Sequence, residues 1–187
     1  MATKIYIDQG HNPVNPNAGS EGNGFREQDI VYEIGQLTAE QLRGYGFDVR
    51  LSRPTEATQL GTSNGTSLRA RVDDANSWGA DYFISLHTNA SVIEEANGSE
   101  AFVYRRDGEA EALAENILTQ LNITTGLRNR GVVARPGLYV LRKTRMPATL
   151  VELGFISNTE DAELMAYSPS LFAVGVTNGV LAFLGML

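Results

Sequence analysis

Tyr82-Phe83-Ile84-Ser85-Leu86 (YFISL) is a nearly continuous run of aromatic and aliphatic residues, followed at once by His87. A strand with apolar residues in almost every position is covered on both faces, as parallel strands inside α/β sheets are. Lys4–Asp8 (KIYID) and Ala148–Val151 (ATLV) read the same way. Between them the period changes to that of amphipathic helices. Ile30, Ile34 and Leu37 recur at helical spacing after Glu27, until Gly44 and Gly46 stop the pattern. Ser67 is a candidate cap for a helix that ends at Trp78 before Gly79. Residues 108–121 carry Ala110, Leu113, Ile117 and Leu121 on one face. Residues 158–166 open with a capping residue and first-turn acids, and residues 170–187 form a last apolar helix. Segments 47–51, 100–104 and 138–141 complete the expected strands, while 10–24 and 53–66 have loop composition. Strands alternating with helices predict an α/β fold with a largely parallel sheet between helical layers. No repeat or linker divides the chain, so one domain is expected over residues 1–187.

Composition narrows the function. The 187 residues include 15 Lys plus Arg against 22 Asp plus Glu, a formal charge of −7. Such a balance argues against nucleic acid or an anionic membrane surface as partner. The absence of cysteine excludes a disulfide scaffold, thiol catalysis and Cys-ligated zinc. The longest apolar run, Val180–Leu187, falls well short of the roughly 20 residues that span a bilayer, so no membrane insertion is expected. MATKIYID leads directly into a strand rather than a basic and then apolar leader. The expectation is a chain made without a secretory signal, or an excised domain.

Sites in open α/β sheets form at the carboxyl ends of strands. Gln9-Gly10-His11 follows KIYID, His87 follows YFISL and Glu152 follows ATLV, so both histidines of the chain gather at strand ends. Two histidines and a carboxylate suit a catalytic zinc, which takes three protein ligands and leaves a position for water. His11 and His87 supply two. Glu27 is the best third, because it opens the first helix just past the loop that leaves His11. Glu152 is then the general base, since a buried acid between Val151 and Leu153 is costly without a task. Plainer readings compete: a hydrogen-bonded structural histidine, and for Glu27 a first-turn acid favoured by the helix dipole. The spacing matches no HExxH-type motif.

At these residues the sequence resembles the zinc-dependent N-acetylmuramoyl-L-alanine amidases of the type 3 amidase family, which are peptidoglycan hydrolases. The likeness runs almost end to end, through IYIDQGH (5–11), GNGFREQDI (22–30), VRLSR (49–53), RARVDDANSWGADYFISLHTNA (69–90), NGSEAFVY (97–104) and GLYVLRKTRMPATLVELGFISN (137–158). It departs at Gln9, where relatives commonly have Pro or Ala, and at Asn12-Pro13, where they have two glycines. The resemblance implies a three-layer α/β/α domain around a twisted, mostly parallel sheet of about six strands. It implies zinc (Zn2+) held by His11, Glu27 and His87, with Glu152 catalytic. The implied reaction is hydrolysis of the amide between N-acetylmuramic acid and L-alanine in peptidoglycan, by a monomer acting on the bacterial cell wall; the expected lack of a secretory signal fits a phage or mother-cell lysin, or the excised domain of a secreted protein. Arg53 and Arg71 are candidate substrate anchors against ordinary ion pairing, and Asn89 a residue that orients the His87 segment. A zinc peptidase or carboxypeptidase on a similar sheet, and a non-catalytic wall-binding module, are the alternatives.

Overall fold

The computed structural model describes residues 2–187. In chain order the elements are β1 (Lys4–Gln9), β2 (Glu21–Gly22), β3 (Phe25–Arg26), α1 (Glu27–Gly44), β4 (Asp48–Leu51), α2 (Asn64–Trp78), β5 (Tyr82–Asn89), β6 (Ser99–Val103), α3 (Glu109–Thr125), β7 (Asn129–Ala134), α4 (Tyr139–Lys143), β8 (Ala148–Phe155), α5 (Thr159–Tyr167) and α6 (Pro169–Phe183). Six strands form one sheet in the order β4-β1-β5-β8-β6-β7, and β2 pairs with β3 as a separate ribbon. The neighbours β4, β1, β5 and β8 run parallel. β6 is antiparallel to β8, and β7 runs parallel to β6. The expected mostly parallel, six-stranded sheet is therefore present.

Side-chain alternation divides the core in two. Ile5, Ile7, Ile84, Leu86, Val151 and Leu153 face one side, where α1, α3 and α6 cover them. Tyr6, Phe83, Phe102, Ala148 and Leu150 face the other, under α2 and α4. The period of two puts successive strand residues in different layers. Tyr6 stacks on Phe83 with ring centroids 5.4 Å apart. At the amino-terminal end of β1, Trp78 lies between Lys4 Nζ, 5.3 Å from its ring, and Arg50 Cζ, 4.9 Å from it. No single helix among the described residues is long and apolar enough to cross a membrane.

Several local expectations are corrected. Leu138–Leu141 is not a strand: Leu138 caps a one-turn helix, α4. Its apolar residues Leu138, Val140 and Leu141 pack on the face of the sheet, in the layer of Phe83 and Leu150, rather than along an edge. Ser67 is inside α2 and fully buried, where it accepts a hydrogen bond from Asn17 Nδ2 at 3.0 Å. The cap is Ser63, whose hydroxyl accepts from Thr66 N while the Thr66 side chain accepts from the Ser63 N–H. This reciprocal pair satisfies two otherwise free donors at the helix start. The last helix ends at Phe183 rather than Leu187. β7 and the β2–β3 ribbon have no counterpart among the expected strands.

Candidate active site

The site lies at the carboxyl ends of β1, β5 and β8. Gly10 N donates to Leu86 O at 3.0 Å, which carries the pairing of β1 with β5 one residue past Gln9. A Cβ at Gly10 would stand 2.5 Å from His87 Cε1, so this close approach needs glycine. His11 follows with φ of 65°, in the left-handed region. A non-glycine residue there costs about 1–2 kcal/mol and is held only by its surroundings.

α1 begins at Glu27, whose N–H donates to Ser20 O at 2.9 Å. The Glu27 carboxylate is buried and anchored from both sides. Oε2 accepts from Ser20 N at 2.9 Å, and Oε1 accepts from Thr88 N at 3.0 Å. His11 Nε2 and His87 Nδ1 both lie 3.1 Å from that same Oε1. The three candidate ligand atoms lie within 4.8 Å of one another. The structure thus brings His11, Glu27 and His87 together as the sequence suggested. His11 and His87 remain about a fifth exposed, at 21% and 19%, over a buried Glu27. Burial alone would raise the Glu27 pKa, but the two histidines outweigh it and hold the carboxyl well below the ordinary range.

Glu152 and His87 lie within β8 and β5 rather than beyond them. They are register partners, so their side chains share a face of the sheet. On the other side Glu152 pairs with Glu100 of β6, a neighbour that sequence reasoning missed. Asn89 Nδ2 donates to Glu100 Oε1, so Asn89 ties the end of β5 to β6. Glu152 Oε2 is enclosed and has no hydrogen-bond partner. Burial, with added repulsion from the Glu27 and Glu100 carboxylates, pushes the Glu152 carboxyl up to about 8.

The two arginines are not surface anchors. Arg53 is fully buried, donates from Nη1 to Gln28 O at 2.9 Å and from Nη2 to Glu56 O at 3.0 Å, and lies over the Tyr32 ring. Arg71 is equally buried and pairs with Asp8 at 2.6 Å. The Asp8 carboxyl, which burial would raise, is held below its ordinary range by Arg71 and by a hydrogen bond from Ser85. The sequence signal for this pair was an acid inside a strand of otherwise apolar residues. A cavity of about 130 Å³ abuts His11, His87 and Arg71 and is walled mainly by Leu68, Leu138, Tyr139, Val140 and Leu150. A wider groove of about 590 Å³ runs along the β4 edge between Arg43, Pro54 and Trp78, on residues outside this cluster.

Two imidazole nitrogens and a carboxylate oxygen within 4.8 Å of one another are a donor set that suits a divalent transition metal, zinc among them. With a buried acid on the adjacent strand, fold and site together define an α/β domain with a His-Glu-His cluster that could hold a metal ion at the carboxyl ends of its strands. The sequence comparisons make this specific: a family model described as N-acetylmuramoyl-L-alanine amidase matches residues 5–182, and the chain belongs to that family. It is 33% identical over 182 residues to N-acetylmuramoyl-L-alanine amidase CwlM of Bacillus licheniformis, covering 95% of this chain and 67% of that protein. It is 36% identical over 162 residues to N-acetylmuramoyl-L-alanine amidase LytC of Bacillus subtilis (strain 168), covering 84% of this chain but only 30% of that longer protein. Among solved structures, the N-acetylmuramoyl-L-alanine amidase from Clostridium difficile 630 superposes with a TM-score of 0.87 at 27% identity, over 98% of this chain and 97% of that one.

Proposed function

We propose that the chain hydrolyses the amide between N-acetylmuramic acid and the L-alanine of the stem peptide in peptidoglycan, with zinc held by His11, Glu27 and His87 and with Glu152 moving the proton. The observation that carries this reading is the meeting of His11 Nε2 and His87 Nδ1 on one Glu27 oxygen, at 3.1 Å each, beside an acid with an unpartnered buried oxygen. Family membership supports the bond assigned. Zinc bound there would supply Lewis-acid polarisation of the scissile carbonyl and a water of lowered pKa.

The remaining chemistry belongs to the chain. Glu152 takes a proton from the attacking water as the new C–O bond forms. It returns that proton to the L-alanine nitrogen as the C–N bond breaks, leaving a carboxylic acid and a free amine. The two exposed imidazole edges leave the rim open to a polymeric substrate. The protein acts at the bacterial cell wall as a monomer in this reading.

Mass analysis of digested peptidoglycan tests it. Free stem peptides with an L-alanine amino terminus, together with intact glycan, are the expected products. Cleavage inside the stem peptide would replace this reading with a zinc peptidase, and wall binding without any release would replace it with a binding module. Metal analysis of the purified protein should find one zinc per chain.

A further inference from the structure

We infer that the buried Arg71–Asp8 pair is a positioning device for His11, fixing the backbone turn that aims this residue, and is more than a tie between α2 and β1. The inference rests on the reading of His11 as a metal ligand.

Both side chains are 1% exposed. A buried ion pair carries a desolvation cost that well-packed apolar residues would avoid, so the pair is weak grounds for stability by itself. What Arg71 touches is more telling. Nη1 donates to Asp8 Oδ1 and to Gln9 O, both at 2.6 Å, and Nη2 donates to His11 O. The guanidinium fork thus takes the two carbonyls that flank Gly10, where the chain leaves β1. Its second carbonyl belongs to the residue held at φ 65°, a conformation that a histidine does not keep unaided.

Asp8 completes the arrangement. Its Oδ2 accepts from Ser85 Oγ at 2.7 Å, and Ser85 lies two residues before His87 on β5. Asp8 itself lies three residues before His11. One carboxylate therefore references both histidines to a single buried point, and Arg71 transmits that reference to the His11 backbone. A lysine keeps the charge but has no planar fork, and so cannot hold two carbonyls and a carboxylate in the same plane.

The experiment compares the wild type, Arg71→Lys and Ser85→Ala. Each is stripped of metal, and its zinc dissociation constant is measured by competition with a chromophoric chelator, at a temperature below unfolding. Thermal melts of the metal-free proteins run in parallel. Partners of metal ligands typically tune affinity by about 10- to 100-fold, and a loss in that range is expected for Arg71→Lys. Ser85→Ala, acting one step further away, should lose affinity in the same direction by a smaller factor. A merely structural pair would lower the metal-free melting temperature but leave the affinity of the folded protein unchanged, and that result overturns the inference. If Arg71→Lys does not fold, Ser85→Ala decides: an unchanged dissociation constant overturns it, and a weakened one supports it. A wild-type protein that binds no zinc overturns the ligand reading itself and the positioning role with it, which separates that failure from loss of the clamp alone.

Discussion

Glu152 differs from the histidines in what its removal should do. Glu152→Gln keeps the shape of the side chain but cannot accept a proton. It should retain stoichiometric zinc and wild-type-like stability while losing at least about a hundredfold in turnover. His87→Ala should instead lose most bound zinc and all activity, with metal analysis as the measurement. Zinc that falls in Glu152→Gln together with activity would make Glu152 a ligand. The same residue sets a pH dependence in the metal-free protein. Its folded pKa is raised from an ordinary 4.5 to about 8, so the native state holds a proton that the unfolded state releases. Stability from this group is fully present below about 4.5 and is lost as pH rises through about 8. Melting temperatures of chelator-treated protein should fall across that window, and the fall should be much reduced in Glu152→Gln. These residues were legible in the sequence because each stands just beyond an apolar run, where a polar group has a reason to be. Glu100 was not, because its placement beside Glu152 depends on a strand pairing across 52 residues of chain.

Among elements, those with strong local patterns read correctly and those fixed by their neighbours did not. Val140 and Leu141 have strand character, yet they lie in a short helix packed over Phe83 and Leu150. β7 buries only Val132 fully, so its sequence lacks the alternation that marks a strand, and β6 supplies its pairing. The local pattern pointed to Ser67 as a cap, but the reciprocal pair of Ser63 with the Thr66 hydroxyl starts the helix four residues earlier. The α3–α6 contact makes a sharper case. A Cβ at Gly179 of α6 would stand 2.4 Å from Ile117 Cα, a backbone atom of α3 that cannot swing aside. Alanine gains roughly 1 kcal/mol over glycine in a free helix, but overpacking costs about 1–3 kcal/mol and more where the backbone must move. Gly179→Ala should therefore lower the melting temperature, by several degrees in calorimetry, without changing zinc content. An unchanged or raised melting temperature would mean that the two helices are less rigidly held than their spacing implies.

For the molecule as a whole, the α/β class and the largely parallel sheet followed from strand and helix periods, whereas the reversed direction of β6 and β7 did not. Direction depends on how the chain connects one strand to the next, and no local pattern records it. The charge of −7 acts at this scale too. A polyanionic cell wall should repel the protein at low ionic strength, when the Debye length is about 30 Å at 0.01 M, and less at 0.15 M, when it is about 8 Å. Cosedimentation with isolated walls should accordingly rise with moderate salt, and tight binding at the lowest salt would contradict this. Trp78 is the one tryptophan in the chain, and its ring lies against Lys4 and Arg50 at the amino end of β1. The five steps of β1 from Lys4 to Gln9 put on the order of 17 Å of strand between that cage and the histidine cluster. Its fluorescence is therefore a single-site reporter of α2 docking on the sheet: adding zinc to folded protein should leave the emission maximum in place, while denaturant should shift it to the red.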